Sequence, residues 1–165
     1  MMVTLTGFMG SGKTTVGKVL ADFLGCPFLD LDDLVVKKAG KSIPDIFAQD
    51  GEPAFRELEA KLLRQTVGKY AESTAVLALG GGAILAPASA ALLHEKTVCI
   101  YLRATLDTLL ARLAGETAGR PLADASLADR LAARAPLYEE TAHVTIDTDG
   151  LSPDQVADEI IISAL

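Results

Sequence analysis

Residues 7–14 read GFMGSGKT, which fits the spacing G-x-x-x-x-G-K-[ST]. The chemistry implied is the grip of a nucleoside triphosphate. Gly7, Gly10 and Gly12 allow the backbone to curl so that successive N–H groups face phosphate oxygens. Lys13 would bridge the β and γ phosphates and Thr14 would ligate Mg²⁺. The apolar run VTLT (3–6) before the motif and the amphipathic TTVGKVLADFL after it supply the strand and helix the motif needs. The helix also turns the positive end of its dipole toward the anion. A chance glycine turn would not bring strand, loop and helix into register.

Other residues could complete a phosphoryl-transfer site. Asp30, Asp32 and Asp33 close the second apolar run in FLDLDD (28–33), at the end of a strand where open parallel sheets bind ligands. Strand alternation puts Asp30 and Asp32 on one side and turns Asp33 away. Acids there could hold Mg²⁺ water or take the proton of an attacking hydroxyl. The plainer use is a helix N-cap, which Asp32 or Asp33 could serve. Three consecutive glycines, Gly80, Gly81 and Gly82, follow another strand and imply that some group must approach the backbone closely. Arg56, Arg120 and Arg134 complete the set. Each could be an idle surface charge, Arg120 least so, because GETAGRPLADA (115–125) has little apolar periodicity and reads as a mobile loop that could close over phosphates. HVTIDTDG (143–150) imitates a strand followed by the D-x-x-G of a GTPase. No N-K-x-D follows it, so an ordinary strand-to-helix turn is the better account.

The elements that must hold these residues are short strands alternating with longer helical segments. VTLT, PFLD (27–30), AVLAL (75–79), TVCIYL (97–102) and HVTID (143–147) predict five strands. Near-continuous apolar strands separated by helices predict an α/β three-layer sandwich around a five-stranded parallel sheet. Ser126 with Asp129 and Ser152 with Gln155 have capping-box spacing, and Pro87 and Pro153 suit first helical positions. A long helix is expected from about 52 to 70, with Phe55, Leu58, Leu62 and Leu63 on its buried face.

With 165 residues, half of them apolar, the chain predicts one domain. Fifteen Lys and Arg against twenty-two Asp and Glu give a net charge of -7, which speaks against nucleic acid or an anionic membrane as partner. Cys26 and Cys99 stand apart in apolar contexts and are expected to be reduced thiols. His94 and His143 lack a second ligand at metal spacing. The uncharged stretch from Ser73 to Leu93 is long enough to span a bilayer, but Gly80, Gly81, Gly82 and Pro87 break it. A cytoplasmic monomer is the expectation.

Taken in order, GFMGSGKTTVGK, FLDLD, GEPAFRELE, LALGGGAIL, GRPL and RAPLYEETAHVTI resemble the shikimate kinase family over nearly the whole chain. That resemblance implies a P-loop fold of the nucleoside-monophosphate-kinase type, with an acceptor-binding segment at about 31–62 and a lid at about 115–125. It implies ATP and Mg²⁺ as cofactors and shikimate as acceptor, giving shikimate 3-phosphate and ADP. Carried over residue by residue, Lys13, Asp32 and Arg120 would be catalytic, and Thr14 and Asp30 would hold the metal. Arg56 and Arg134 would grip the acceptor carboxylate, with Asp32 and Gly80, Gly81 and Gly82 around the rest. Gly10, Ser11, Gly12, Lys13, Thr14, Thr15 and Arg120 would hold the phosphates, with Arg112 and Pro153 beside adenine. Leu79 departs from the hydroxyl residue common before the glycines, and Ala135 from a common Asn. A gluconate kinase or a non-catalytic nucleotide-binding module are the competing classes. Arg56 and Arg134 speak against the first, and intact Lys13, Thr14, Asp32 and Arg120 against the second.

Overall fold

Side chains alternate across β1 (Met2–Thr6) so that Met2 joins one buried cluster while Val3 and Leu5 join another. The same division runs through β3 (Ala75–Ala78), where Ala75 and Leu77 oppose Val76, and β4 (Val98–Arg103), where Cys99 and Tyr101 oppose Ile100 and Leu102. A sheet apolar on both faces must be covered on both. With β2 (Phe28–Asp30) and β5 (Val144–Asp147), the strands form one parallel sheet in the order β2-β3-β1-β4-β5. A computed structural model describes residues 1–116 and 125–165, and the five expected strands are all present in it.

Helices α1 (Lys13–Leu24) and α8 (Pro153–Ala164) cover one face through Val16, Leu20, Val156 and Ile160. The other face is covered by α4 (Glu52–Lys69), α5 (Pro87–Lys96), α6 (Leu106–Glu116) and α7 (Ala125–Thr141), through Leu63, Leu93, Leu109 and Tyr138. Helices α2 (Leu31–Ala39) and α3 (Ile43–Gln49) pack on α4 in a satellite cluster of Val35, Ile46 and Phe55. This is the expected three-layer sandwich.

Pro87 and Pro153 open their helices, and Ser152 and Gln155 form the reciprocal capping box. Ser126 does not sit at a helix entrance, because α7 already begins at Ala125. The buried stripe of α4 is Phe55, Glu59, Leu63, Thr66 and Val67, so Leu58 and Leu62 lie at its half-buried margins and a carboxylate takes a core position. Both cysteines are free, Cys99 buried and Cys26 half-buried. Most of the lid expected at about 115–125, and Arg120 with it, falls on residues 117–124, outside the described residues. Among the described residues no helix is long and apolar enough to cross a membrane.

Candidate active site

β1 is the central strand, flanked by β3 on one side and β4 on the other, so the crevice beyond its carboxyl end is where such a sheet takes ligands. The 7–14 loop opens there. Gly10 and Gly12 have φ of 81° and 93°, a left-handed region costly for residues with a Cβ. Gly12 caps α1 without any side chain, leaving the first N–H groups of that helix free for an anion. A cavity of about 170 Å³ is lined by Gly10, Gly12, Lys13, Thr14 and Thr15.

The Lys13 ammonium is held inside the loop by the carbonyls of Gly7 at 2.7 Å and Phe8 at 3.0 Å. Burial pulls its pKa down to about 8, against the raising influence of Asp32 and Asp30 and with Arg134 adding to the depression. It is therefore charged at neutral pH and poorly solvated, the condition in which a phosphate oxygen is a better partner than a carbonyl.

Thr14 Oγ1 donates to Asp30 Oδ2 at 3.0 Å, and Asp30 Oδ1 accepts from the backbone N–H groups of Asp32 at 2.9 Å and Asp33 at 3.4 Å. The N-cap of α2 is thus Asp30, not Asp32 or Asp33. Strand alternation misplaced these acids because β2 ends at Asp30 and α2 starts at Leu31 without an intervening loop. Asp33 is exposed yet lines the same cavity as Asp32, so it does not face away. Thr14 and Asp30 make a pair of hard oxygen donors beside the phosphate loop, which fits Mg²⁺ with phosphate and water completing its shell.

The three glycines mark a crossing of side chains. Their φ values are not positive, so their absence of Cβ answers space and not backbone conformation. A Cβ on Gly80 would lie 2.9 Å from Asp32 Oδ1 and 3.0 Å from Glu59 Oε2. One on Gly81 would lie 3.6 Å from Arg134, from the Gly7 carbonyl and from the Tyr138 hydroxyl alike. One on Gly82 would overlap the Arg56 guanidinium. Asp32, Arg56, Arg134 and the three glycines share a cavity of about 560 Å³ that opens beside the phosphate loop.

Two residues in this crossing escape the sequence reading. Glu59 is buried, accepts from Arg56 at 2.9 Å and leaves its Oε2 without a hydrogen-bond partner, while Arg56 Nε, also without a hydrogen bond, lies 3.6 Å from Glu52 Oε1. Burial raises its pKa, and Arg56 opposes the rise. Its signal was the i,i+3 spacing from Arg56 on an amphipathic helix. Tyr138 donates to the Gly81 carbonyl at 2.5 Å, and burial pushes its hydroxyl up to about 12. Arg134 lies over the Phe8 ring, 5.9 Å from its centroid. Asp32 is raised from the usual carboxylate range, first by burial and next by Asp30, with Lys13 opposing.

On the other side of the phosphate loop, Arg112 and Pro153 line one cavity of about 170 Å³ together with Ser11 and Thr15. Arg112 donates to the Gly10 carbonyl and to Thr148 Oγ1, both at 3.2 Å, and to the Thr148 carbonyl at 3.2 Å. Thr148 belongs to the turn after β5 that imitates a GTPase motif. That turn is an ordinary strand-to-helix connection that braces the loop through Arg112.

The close approach at Gly82 gives a test of the crossing. Gly82→Ala needs no unusual backbone, since φ is -105°, but it pushes the Arg56 guanidinium away from its place. Losing one charge-assisted hydrogen bond to an anionic ligand costs about 1.5–3 kcal/mol, roughly 10- to 100-fold in KM. The expected result is a raised acceptor KM with little change in ATP KM or melting temperature. An unchanged acceptor KM would show that Arg56 does not need this position.

A family model described as shikimate kinase matches residues 9–164. The shikimate kinase of Enterococcus faecalis is 43% identical over 164 residues, covering 96% of this chain and 95% of that protein. That of Salinibacter ruber is 46% identical, covering 90% and 78%. Among solved structures, the shikimate kinase from Acinetobacter baumannii in complex with shikimate superposes with a TM-score of 0.87 at 36% identity, covering 97% of this chain and 90% of that one.

Proposed function

The chain belongs to the shikimate kinase family, and from that membership we propose that it transfers the γ-phosphoryl group of ATP to the 3-hydroxyl of shikimate, giving shikimate 3-phosphate and ADP. The observation that carries the reading is the crossing at Gly80–Gly82, where a carboxyl and two arginines share one cavity next to the phosphate loop. A kinase acceptor with hydroxyls and a carboxylate has a partner there for each.

Arg56 and Arg134 take the carboxylate, and the Glu59 side chain holds Arg56 in place. Asp32 takes the acceptor hydroxyl. In the transfer, the hydroxyl oxygen forms a bond to the γ-phosphorus while the bond to the β,γ-bridging oxygen breaks, the hydroxyl proton passes to Asp32, and ADP leaves. Lys13 leaves its two loop carbonyls for the β and γ oxygens, and the free N–H groups at the start of α1 bind the same phosphates. Mg²⁺, held by Thr14 and by Asp30 through water, would neutralise charge on the phosphates. Gly10, Ser11, Gly12 and Thr15 complete the phosphate site, and Arg112 and Pro153 flank adenine. Arg120 belongs to this proposal on the resemblance alone, as a lid cation over the phosphates. A cytoplasmic monomer completes the reading.

ADP release with and without shikimate tests the activity. Recognition through the carboxylate is tested by comparing shikimate with its carboxamide on the wild type and on Arg134→Lys. The lysine keeps the charge and loses the planar fork. The carboxamide should lose on the order of 10²-fold in kcat/KM on the wild type, because it removes the anionic partner of two half-buried guanidinium groups. The Arg134→Lys variant should raise the KM of shikimate while that of ATP changes little. Equal use of acid and amide by the wild type would defeat the acceptor assignment.

A further inference from the structure

The acceptor cavity holds a third arginine. Arg130 lines it together with Arg56 and Arg134, is exposed, and has no ion pair among the described residues. It sits on α7 four positions before Arg134, so both side chains leave the same face of the helix. Like charges at that spacing destabilise a helix by a few tenths of a kcal/mol. Nothing on α7 offsets this, because the residues three and four positions away are Ser126, Leu127, Ala133 and Arg134, and Asp129, next in sequence, does not share its face. In a chain with a net charge of -7, two arginines on one face of one helix concentrate positive charge at this cavity.

The charges around the cavity say what the arrangement could do. Asp32, Asp33 and Glu59 line it as well. Glu59 is taken up by Arg56 at 2.9 Å. Without Arg130, three acids face two arginines. With Arg130 the lining carries three of each sign, and its two exposed charged residues are Asp33 and Arg130.

We propose that Arg130 is a capture residue for the anionic acceptor, a rim cation that draws the carboxylate into the cavity and offsets Asp33 before Arg56 and Arg134 take hold. This rests on the reading of the cavity as the acceptor site. Rim charges act on association and on its salt dependence more than on the chemical step. Arg130 is accordingly a specificity-determining residue toward acceptor charge and not a member of the reacting set. Its guanidinium needs to act only as a point charge, so lysine should replace it.

The test measures kcat/KM for shikimate at saturating ATP, at about 0.05 M and about 0.5 M ionic strength, where screening lengths differ by roughly threefold. Arg130→Gln should lower it about 3- to 10-fold at the low salt and less than about twofold at the high salt, with kcat and the KM of ATP held within about twofold. Arg130→Lys should keep most of the wild-type value and salt slope. The melting temperature supplies the opposite sign: removing the like charge beside Arg134 should leave it unchanged or raise it, whereas a merely structural arginine would lower stability and activity together. Wild-type kinetics from Arg130→Gln at low salt would overturn the inference, and so would a lysine variant as poor as the glutamine one. If the wild type itself does not phosphorylate shikimate, it is the acceptor reading that fails.

Discussion

Lys13→Met is expected to remove most turnover while leaving the nucleotide-free protein as stable as the wild type or more so near neutral pH. Methionine keeps the length and apolar stem of the side chain and deletes the ammonium. Loss of one preorganised charge from developing phosphoryl charge costs on the order of 10²- to 10³-fold in kcat. The stability effect has the other sign, because burial holds the folded-state pKa at about 8, below the ordinary lysine value of 10.5. A folded state that binds its proton less tightly than the unfolded chain is penalised wherever the group is charged. The penalty is full below pH 8 and is relieved as pH rises through the window from about 8 to 10.5. The bonds to the Gly7 and Phe8 carbonyls are part-buried and Lys13 itself is half-buried, so water can replace the lost donor. Melting curves of both proteins from pH 7 to 10 should therefore converge as the pH rises. A Met variant that melts well below the wild type at pH 7 would make Lys13 a structural residue, and one with near-normal turnover would remove it from the phosphate site.

The contiguous parts of this site were legible in the residues themselves, whereas the assembled parts entered the sequence reading only through the family resemblance. Strand, GFMGSGKT loop and α1 follow one another directly, so local propensity and spacing suffice to place Lys13 and Thr14. The glycine triplet announced a close approach, but which groups approach depends on α2, α4 and α7 meeting over β3, and no local rule contains that. Asp33 was turned away, and the N-cap was given to Asp32 or Asp33, because alternation was carried past Asp30, where the chain turns from β2 straight into α2. Glu59 stands in a helix with Glu52 and Glu57, where a carboxylate reads as a solvated face. Its burial follows only from the packing of α4 against the sheet. The stack of His94 on His143, with ring centroids 4.5 Å apart, joins the end of α5 to the start of β5 and has no trace in the spacing. Arg130 was passed over for the same reason: an arginine outside the matched motifs of α7 acquires meaning only from the cavity it lines.

Asp32, the acid proposed to take the proton, should give the other large effect. Asp32→Asn is expected to lower kcat by about 10²- to 10⁴-fold with ATP affinity preserved, because the amide can orient a hydroxyl but cannot accept its proton. The pH dependence separates this role from a purely orienting one. Burial and the neighbouring Asp30 carboxylate raise the Asp32 pKa above the usual carboxylate value, so a wild-type base is lost by protonation as pH falls through that raised value. The wild type should then show an acidic limb in kcat that lies above the ordinary aspartate range, and the residual activity of the Asn variant should lack it. Stability must run the opposite way. A carboxyl whose folded-state pKa is raised destabilises the fold when ionised, so the Asn variant should be the more stable protein above that pKa, and its advantage should shrink as pH falls through it. Loss of the limb together with an unchanged Kd for ATP fits the base assignment. An Asn variant that keeps wild-type kcat sinks the assignment, as does one that keeps the limb. A defect confined to ATP binding would move Asp32 to the metal side of the site, beside Thr14 and Asp30.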